Sequence, residues 1–275
     1  MPAEVCETSE ALNNCGKDER MNSQIRDIVN QLPGTVGYYY ENLVSGETDE
    51  LNARQPYLAA SVIKLFVLEA VMQAIHEGRL DPQQKLRLEE EDKMPSCGAL
   101  LYLHAGIDLT VRDLYTLMIT LSDNTATNQL IRLVGIESIN EVIAASGYCH
   151  TALKRLLFDG NAQNQGKENS FSPADVGLLL KSIHQDTFVS RAISREASAI
   201  LLKQQLKNKI PALIPRQIPI AHKTGEDAFI THDVGIVYGD HPFILCLAAN
   251  ETDVIRAEEA FRKIAGICFR LHQRS

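Results

Sequence analysis

Residues 58–78 read LAASVIKLFVLEAVMQAIHEG and carry the clearest structural pattern of the chain. Apolar residues recur with a helical period along this stretch, which predicts a helix from Ala59 to about Gly78. Ser61 and Lys64 lie in the first turns of this helix. Because a lysine inside an apolar run is rarely buried without partners, Lys64 must be buried beside polar groups or line a cleft.

The pattern changes between helix and strand on either side of this stretch. Residues 22–32 have a helical spacing, and residues 34–52 alternate as a β-hairpin with a turn at Ser45-Gly46. The pattern of the remaining chain predicts five helices at Val111–Leu121, Asn124–Val134, Ile136–Ala145, Pro173–His184 and Arg195–Gln204. Three strands at Ile218–Thr224, Asp233–Tyr238 and Phe243–Ala249 follow, and then a last helix at Asp253–His272.

Strands at both ends of the chain, with helices between them, predict an α+β fold. An antiparallel sheet is built from both chain ends, and an all-helical lobe is inserted. The predicted parts are a polar tail at 1–20, an α/β lobe of 21–55 with 210–275, and an all-α lobe of 56–209. We expect the active site at the interface between the two lobes.

Composition excludes several classes of function. The 275 residues are 45% hydrophobic and carry a formal net charge of −8, so a core can form but no basic face is available for nucleic acid. Residues 1–20 lack the pattern of a secretory signal, and no apolar run approaches the ~20 residues of a membrane span. We expect a cytoplasmic monomer or weak oligomer without a membrane partner, and a periplasmic or extracellular location if a signal has been removed.

The cysteines predict neither a disulfide framework nor a metal centre. They stand far apart, without metal-ligand spacing to the histidines, at Cys6, Cys15, Cys97, Cys149, Cys246 and Cys268. We expect free thiols, although Cys6 and Cys15 could pair in an oxidising compartment. No metal and no cofactor are expected.

Three short motifs follow one another: Ser61-Val62-Ile63-Lys64, Ser122-Asp123-Asn124 and Lys223-Thr224-Gly225. Residues three apart on a helix share a face, so Lys64 can place its amine against the Ser61 hydroxyl. A serine nucleophile needs an adjacent base, and a lysine serves only if burial and a neighbouring cation such as Lys223 lower its pKa. This spacing predicts Ser61 as nucleophile and Lys64 as base.

The second motif follows a predicted helix and begins another. There the Ser122 hydroxyl could relay a proton to the leaving nitrogen, and Asn124 should reach the substrate. The same three residues are also a common combination for helix caps and turns.

The third motif lies at a predicted edge strand. Lys223 and Thr224 would offer a cation and a hydroxyl to the substrate, and Gly225 would allow its backbone to come close. The backbone N–H groups of Ser61 and Glu226 would hold the oxyanion. Each motif alone has an ordinary structural explanation, but their joint occurrence in this order favours a site.

The three motifs resemble those of the class A serine β-lactamases and related penicillin-binding enzymes. The resemblance extends to residues 109–131, LTVRDLYTLMITLSDNTATNQLI, and to residues 232–237, HDVGIV. The resemblance implies a class A β-lactamase-like fold. It further implies a role in antibiotic resistance. It also implies acylation of Ser61 by a cyclic amide such as a β-lactam, followed by hydrolysis.

The chain departs from this family where the acyl-enzyme is hydrolysed. In class A enzymes a glutamate two residues past an arginine positions the water, whereas here Leu157 follows Arg155 at that spacing. Asp159 is the nearest acid and could substitute, or it could be a turn residue before Gly160. Without a base for water the acyl-enzyme should persist, unless Lys64 serves both steps.

A second departure is the acidic pair Glu226-Asp227 beside the expected anion site. Like-charge repulsion would oppose a substrate carboxylate there, unless Glu226 offers only its backbone N–H. The strand arginine that often supports the carboxylate in this family is replaced by Val234, and His232 nearby is the candidate to contribute instead.

These observations predict hydrolysis of a small amide or ester, β-lactams included, through an acyl-enzyme on Ser61. One alternative is an intracellular hydrolase or acyltransferase that acts on another small amide or ester. A second alternative is a penicillin-binding module that is acylated without turnover.

Overall fold

A five-stranded antiparallel sheet joins the two ends of the chain. The computed structural model describes residues 21–272, so the predicted tail, with Cys6 and Cys15, lies outside the described residues. The strands are β1 (Thr35–Asn42), β2 (Thr48–Leu51), β3 (Tyr57–Leu58), β4 (Lys85–Arg87), β5 (Asp108–Thr110), β6 (Ser170–Phe171), β7 (Ile220–Asp227), β8 (Ile230–Val237) and β9 (Phe243–Asn250). The large sheet has the order β2-β1-β9-β8-β7 with antiparallel neighbours throughout. The predicted α+β fold is confirmed.

Most of the helices lie between β2 and β7 in the chain, and one helix lies near each end of the described residues. They are α1 (residues 21–30), α2 (Lys64–His76), α3 (Val111–Thr120), α4 (Asn124–Val134), α5 (Ile136–Ala145), α6 (Gly160–Asn164), α7 (Pro173–His184), α8 (Arg191–Leu201) and α9 (Val254–His272). The helix predicted from Arg195 begins at Arg191, because the Ser190 hydroxyl caps it by accepting the Ile193 N–H at 3.4 Å. The predicted division into lobes at 55/56 and 209/210 stays a prediction.

Alternation along the strands gives the sheet two apolar faces. On β1, Tyr38 and Tyr40 pack with the terminal helices α1 and α9, whereas Tyr39 packs with the helical middle of the chain. Burial of a large apolar side chain contributes roughly 1.5–3 kcal/mol to stability, so both faces stabilise the sheet. The two chain ends are thereby fixed in one unit.

Strand β7 lies at one edge of the sheet, and its two faces have different neighbours. Ala221 belongs to the core on the helical side, together with Ile236, its partner on β8. By alternation, Lys223 and Gly225 share that side, and His222, Thr224 and Glu226 lie on the opposite side.

Helix α2 runs through the helical middle and is apolar on nearly every side. Even its Glu69 is buried, where the carboxylate accepts a hydrogen bond from the Ser146 hydroxyl at 2.7 Å. A helix that is apolar all round belongs in a protein core or a membrane. Within residues 21–272, no helix combines the length and the apolar character needed to cross a bilayer.

Candidate active site

The 3₁₀ turn Ala60–Ile63 leads directly into α2 and places Ser61 in a cleft. Lys64 is the first residue of α2 and has no solvent exposure. Its Nζ atom lies 3.0 Å from the Ser61 Oγ atom. The contact expected from residues three apart is therefore present.

The Lys64 amine is surrounded by oxygen atoms. Besides Ser61, it lies 2.7 Å from the Ser122 carbonyl oxygen, 3.0 Å from the Ser122 Oγ atom and 2.7 Å from the Asn124 Oδ1 atom. A neutral amine has two N–H donors and one lone pair. The carbonyl and amide oxygens, which cannot donate, accept those two N–H groups, and the lone pair remains for a hydroxyl proton.

Burial holds the pKa of Lys64 well below its usual range, and the nearby Lys223 cation lowers the pKa further. Burial also lowers the pKa of Lys223, to about 7. Lys64, whose amine contacts Ser61 and whose pKa both burial and the Lys223 cation lower, is therefore the amine that can act as its base.

Ser122 lies between the two amines. Its Oγ atom is 3.0 Å from Lys64 Nζ and 3.0 Å from Lys223 Nζ. The residue is 2% exposed and has a left-handed backbone with φ of 55°, a strained conformation that often marks functional positions. A hydroxyl between two nitrogens can receive a proton from one side while it donates to a substrate.

Asp123 anchors the loop that carries Ser122. It is fully buried, and its carboxylate accepts the backbone N–H groups of Ala99, Leu100 and Ala126 at 2.7, 2.9 and 3.0 Å. Asp123 is therefore the N-cap of α4 and also ties α4 to the loop that borders the cleft.

Replacing Asp123 by alanine should lower the free energy of unfolding by about 3 kcal/mol, because three N–H groups, two of them buried, lose their acceptor. Urea denaturation measures the loss. The matched control is Asp113→Ala, which removes the exposed carboxylate that accepts the Thr110 N–H and hydroxyl at the start of α3 and should cost roughly 1 kcal/mol. Equal losses in the two variants would contradict the assigned support role.

Asn124 lines the cleft, but the oxygen and the nitrogen of its side-chain amide both contact other groups of the protein. The Oδ1 atom faces Lys64, and the Nδ2 atom donates to the Pro95 carbonyl oxygen at 2.9 Å. The arrangement favours a role in orienting the lysine, beside the predicted contact with substrate.

The structure places two residues of the third motif away from the cleft. Thr224 is 1% exposed and lies on the back of β7, so the expected hydroxyl contact with substrate is not supported. Gly225 faces the turn that carries Ser61. A Cβ atom there would lie 2.9 Å from His232 Cδ2 and 3.1 Å from Val62 Cγ2. The glycine is needed for close packing of protein against protein, which corrects the expectation that it makes room for substrate.

His232 does not reach the cleft, and its expected role in substrate binding is corrected. The ring is buried, its Nε2 atom lies 2.9 Å from the Leu58 carbonyl oxygen, and its Nδ1 atom accepts the Ala249 N–H at 3.3 Å. Burial lowers the pKa of His232 to about 3, so the ring is neutral. It packs β8 against the segment before Ser61.

Lys209, which sequence reasoning missed, determines what Glu226 does. The lysine is fully buried and its Nζ atom lies 2.9 Å from Glu226 Oε1 and 3.1 Å from the His232 carbonyl oxygen. The ion pair balances the Glu226 charge. The expected repulsion of a substrate carboxylate by the acidic pair therefore comes from Asp227 alone. In sequence, Lys209 follows Lys207 and Asn208 and looks like a solvated charge.

Leu157 lines the cleft in the loop after α5, and Asn128 of α4 fixes its backbone. The Asn128 Oδ1 atom accepts the Leu157 N–H at 2.9 Å, and the Nδ2 atom donates to the Leu157 carbonyl oxygen at 2.9 Å. Asn128 is a second residue that the sequence did not reveal, because a buried asparagine within an amphipathic helix has no local signal.

The Asp159 carboxylate does not take the role of the base for water. Its carboxylate accepts the Ala162 N–H at 3.0 Å and caps the short helix α6. Asp159 is not among the residues that line the cleft. The structure supports the turn interpretation and corrects the suggestion that Asp159 replaces the missing base.

The cleft has a volume of about 610 Å³, within the usual range for small-molecule sites. Ser61, Asn124, Leu157, Glu226 and Asp227 line it. The free thiol of Cys97 and the ion pair between Arg155 and Glu168, whose atoms lie 2.7 Å apart, also line the cleft.

Residues 20–271 match the β-lactamase enzyme family. The chain belongs to this family. It is a serine hydrolase family, so the chain is an enzyme of that type and acts on a small molecule. Over 237 residues the chain is 22% identical to β-lactamase VEB-1 of Pseudomonas aeruginosa, covering 80% of this chain and 78% of that protein.

Solved β-lactamase-family structures share the fold. A β-lactamase from Sphaerobacter thermophilus is 30% identical with a TM-score of 0.83, covering 91% of this chain and 97% of that one. A variant of PBP-A in which a leucine is replaced by glutamate, an acyl-enzyme complex with penicillin G, is 27% identical with a TM-score of 0.85 and coverage of 94% and 97%. The expected class A β-lactamase fold is confirmed.

Proposed function

We propose that this enzyme is acylated at Ser61 by β-lactams or related small amides and esters, and that it releases the acyl group slowly. The observation that carries the proposal is the Lys64 amine, which lies 3.0 Å from both the Ser61 and the Ser122 hydroxyl oxygens. The Leu157 side chain, which cannot accept a proton, stands where the family's deacylating glutamate is expected.

Acylation begins when neutral Lys64 accepts the Ser61 proton and the Ser61 Oγ atom attacks the substrate carbonyl carbon. The backbone N–H groups of Ser61 and Glu226, which both line the cleft, hold the oxyanion. The C–N bond then breaks. The Ser122 hydroxyl gives its proton to the leaving nitrogen and receives one from the Lys64 ammonium, so that Lys64 is neutral again.

Deacylation needs a second proton acceptor, this time for water. Asp159 is engaged as a helix cap, Glu168 is paired with Arg155 and Leu157 is apolar. Lys64, which contacts Ser61, is therefore the group assigned to this step. General-base catalysis typically contributes about 10²–10⁴-fold, which is the acceleration that a dedicated carboxylate would add. A PBP-A variant, a relative of this chain, has been solved as an acyl-enzyme complex with penicillin G, which supports the acylation step of the proposal.

Acylation should depend on pH through both lysines. The rate rises with pH as Lys64 loses its proton and falls as Lys223 loses the charge that faces Ser122. In Lys223→Met the neighbouring cation is gone, so the pKa of Lys64 rises and the ascending limb of the pH–rate profile moves to higher pH, whereas the descending limb disappears. Stopped-flow acylation by a chromogenic cephalosporin measures both limbs.

Lys203→Met is the control for this profile, because it removes an exposed lysine that lies outside the cleft. Both limbs should stay in place in that variant. An ascending limb that does not move in Lys223→Met would contradict the coupling of the two amines.

The proposed function is tested by following intact mass and product release together, with a chromogenic cephalosporin and a fluorescent penicillin. The expected result is a covalent adduct that forms faster than it decays. Many rapid turnovers without a persistent adduct would contradict slow release. A permanent adduct without product would favour the penicillin-binding module instead.

Asp227 favours a second candidate, a hydrolase or acyltransferase of a small amide or ester without a carboxylate. Within residues 21–272 the exposed Asp227 forms no ion pair and accepts only the Ala228 N–H at 2.7 Å. Its charge opposes an anionic substrate and favours a neutral or cationic one. Faster acylation by neutral esters than by penicillins, with the difference reduced in Asp227→Asn, would support this candidate.

A further inference from the structure

A second cavity of about 750 Å³ lies behind β7, on the side away from Ser61. Its inner wall includes His222, and the segment from Pro211 to Ile220 supplies most of the other lining residues. Ile214, Ile218 and Ile220, with three prolines, form an apolar part of this lining beside its polar residues. We call this cavity the back groove.

His222 is the unusual residue of the back groove. It is 1% exposed, and its Nδ1 atom lies 2.9 Å from the Asp233 Oδ1 atom. A carboxylate can only accept, so Nδ1 carries a hydrogen, and an imidazole with its single hydrogen on Nδ1 has an acceptor at Nε2. Within the described residues, Nε2 is buried and has no hydrogen-bond partner.

A buried acceptor without a partner is costly in a folded protein, so such an atom at the wall of a cavity points to a ligand. Asp233 fixes the ring in place, because its Oδ2 atom also accepts the Ile210 N–H at 2.9 Å. The ligand must therefore bring a hydrogen-bond donor to the inner end of the back groove.

The rim of the back groove is positively charged in a chain whose net charge is −8. Lys207 and Arg216 line it, both are exposed, and neither forms an ion pair with a residue in the range 21–272. Two free cations at the mouth favour a ligand that carries a negative charge at its outer end.

We propose that the back groove binds a small aromatic hydroxy acid. The ligand hydroxyl donates to His222 Nε2, the ring lies against the isoleucine and proline walls, and the carboxylate lies between Lys207 and Arg216. This site is separate from the acylation chemistry, since alternation places His222 and Lys223 on opposite faces of β7.

The test uses 4-hydroxybenzoate as probe, with benzoate and phenol as matched ligands that each lack one polar group. Titrations follow the isoleucine methyl NMR signals of the full chain. Ile218 and Ile220 report on the back groove, and Ile230 reports on the catalytic cleft. We expect 4-hydroxybenzoate to shift the first two signals and to bind about fivefold more tightly than either matched ligand, since each comparison removes one hydrogen bond or ion pair.

Two variants assign the two ends of the ligand. The double variant Lys207→Ala with Arg216→Ala changes only exposed side chains, and in it 4-hydroxybenzoate should bind no better than phenol. In His222→Phe the ring shape is kept but the acceptor at Nε2 is removed, and the advantage over benzoate should be lost. Lys203→Ala is the control for surface charge and should bind as the unaltered chain does.

Three results would overturn the proposal. The first is shifts confined to Ile230, which would place the ligand in the catalytic cleft. The second is equal affinity for all three ligands. The third is an unchanged preference in the Lys207 and Arg216 double variant, which stays informative even if His222→Phe fails to fold.

Discussion

Replacing Ser61 by alanine should lower the rate of covalent adduct formation by at least about 10⁴-fold, because the variant lacks the atom that forms the acyl bond. Intact mass spectrometry after incubation with penicillin measures the adduct, and a chromogenic cephalosporin measures turnover. Folding should be preserved, since Ser61 lies in a partly exposed turn and its side chain contacts the Lys64 amine rather than the core.

Ser96→Ala is the matched control, because Ser96 lines the same cleft and its hydroxyl makes only a weak contact with the Cys97 sulfur at 3.7 Å. That variant should keep its adduct. An adduct that persists in Ser61→Ala, or that is lost equally in Ser96→Ala, would show that another residue is the nucleophile.

Replacing Leu157 by glutamate should accelerate release of the acyl group by about 10²–10⁴-fold, the usual contribution of a general base. The new carboxylate would stand at a cleft position whose backbone is held on both sides by Asn128. Its negative charge would also favour the protonated form of Lys64, so we expect acylation to slow. The decay of the penicillin adduct, followed by intact mass, measures the gain.

Leu156→Glu is the control for this gain. Leu156 is also partly buried and adjacent in sequence, but it does not line the cleft. The same charge placed there should leave the adduct lifetime unchanged. If both variants release the acyl group equally fast, loosening of the loop rather than a positioned base is the cause.

Much of the fold could be predicted because its signals are local. The helix from Lys64 and the strands near both ends follow from the period of their apolar residues, and pairing of the strands follows from the need to bury them. The three motifs could be joined because Ser61 and Lys64 lie within one helical turn. The contact of these two residues with Ser122 could be predicted by assuming that the three motifs form a single site.

The rest depended on which face of a strand meets which neighbour. Thr224 was expected in the cleft because it follows Lys223, and His232 because it lies on the strand that pairs with β7. Alternation and packing bury both side chains. Lys209 balances Glu226 across a distance in sequence that no local pattern reveals. Asp159 looked like a base because an isolated carboxylate in a loop has the same sequence signal whether it caps or catalyses.

The pairing of β1 with β9 has a consequence for synthesis of the protein. Thr35 pairs with Asn250, so the N-terminal hairpin is made long before its partner strand exists. At the usual elongation rate of 5–20 residues per second, the hairpin waits roughly 10–40 s on the ribosome with one edge unpaired. Exposed strand edges invite pairing with other chains, so nascent copies of this protein need protection during that interval.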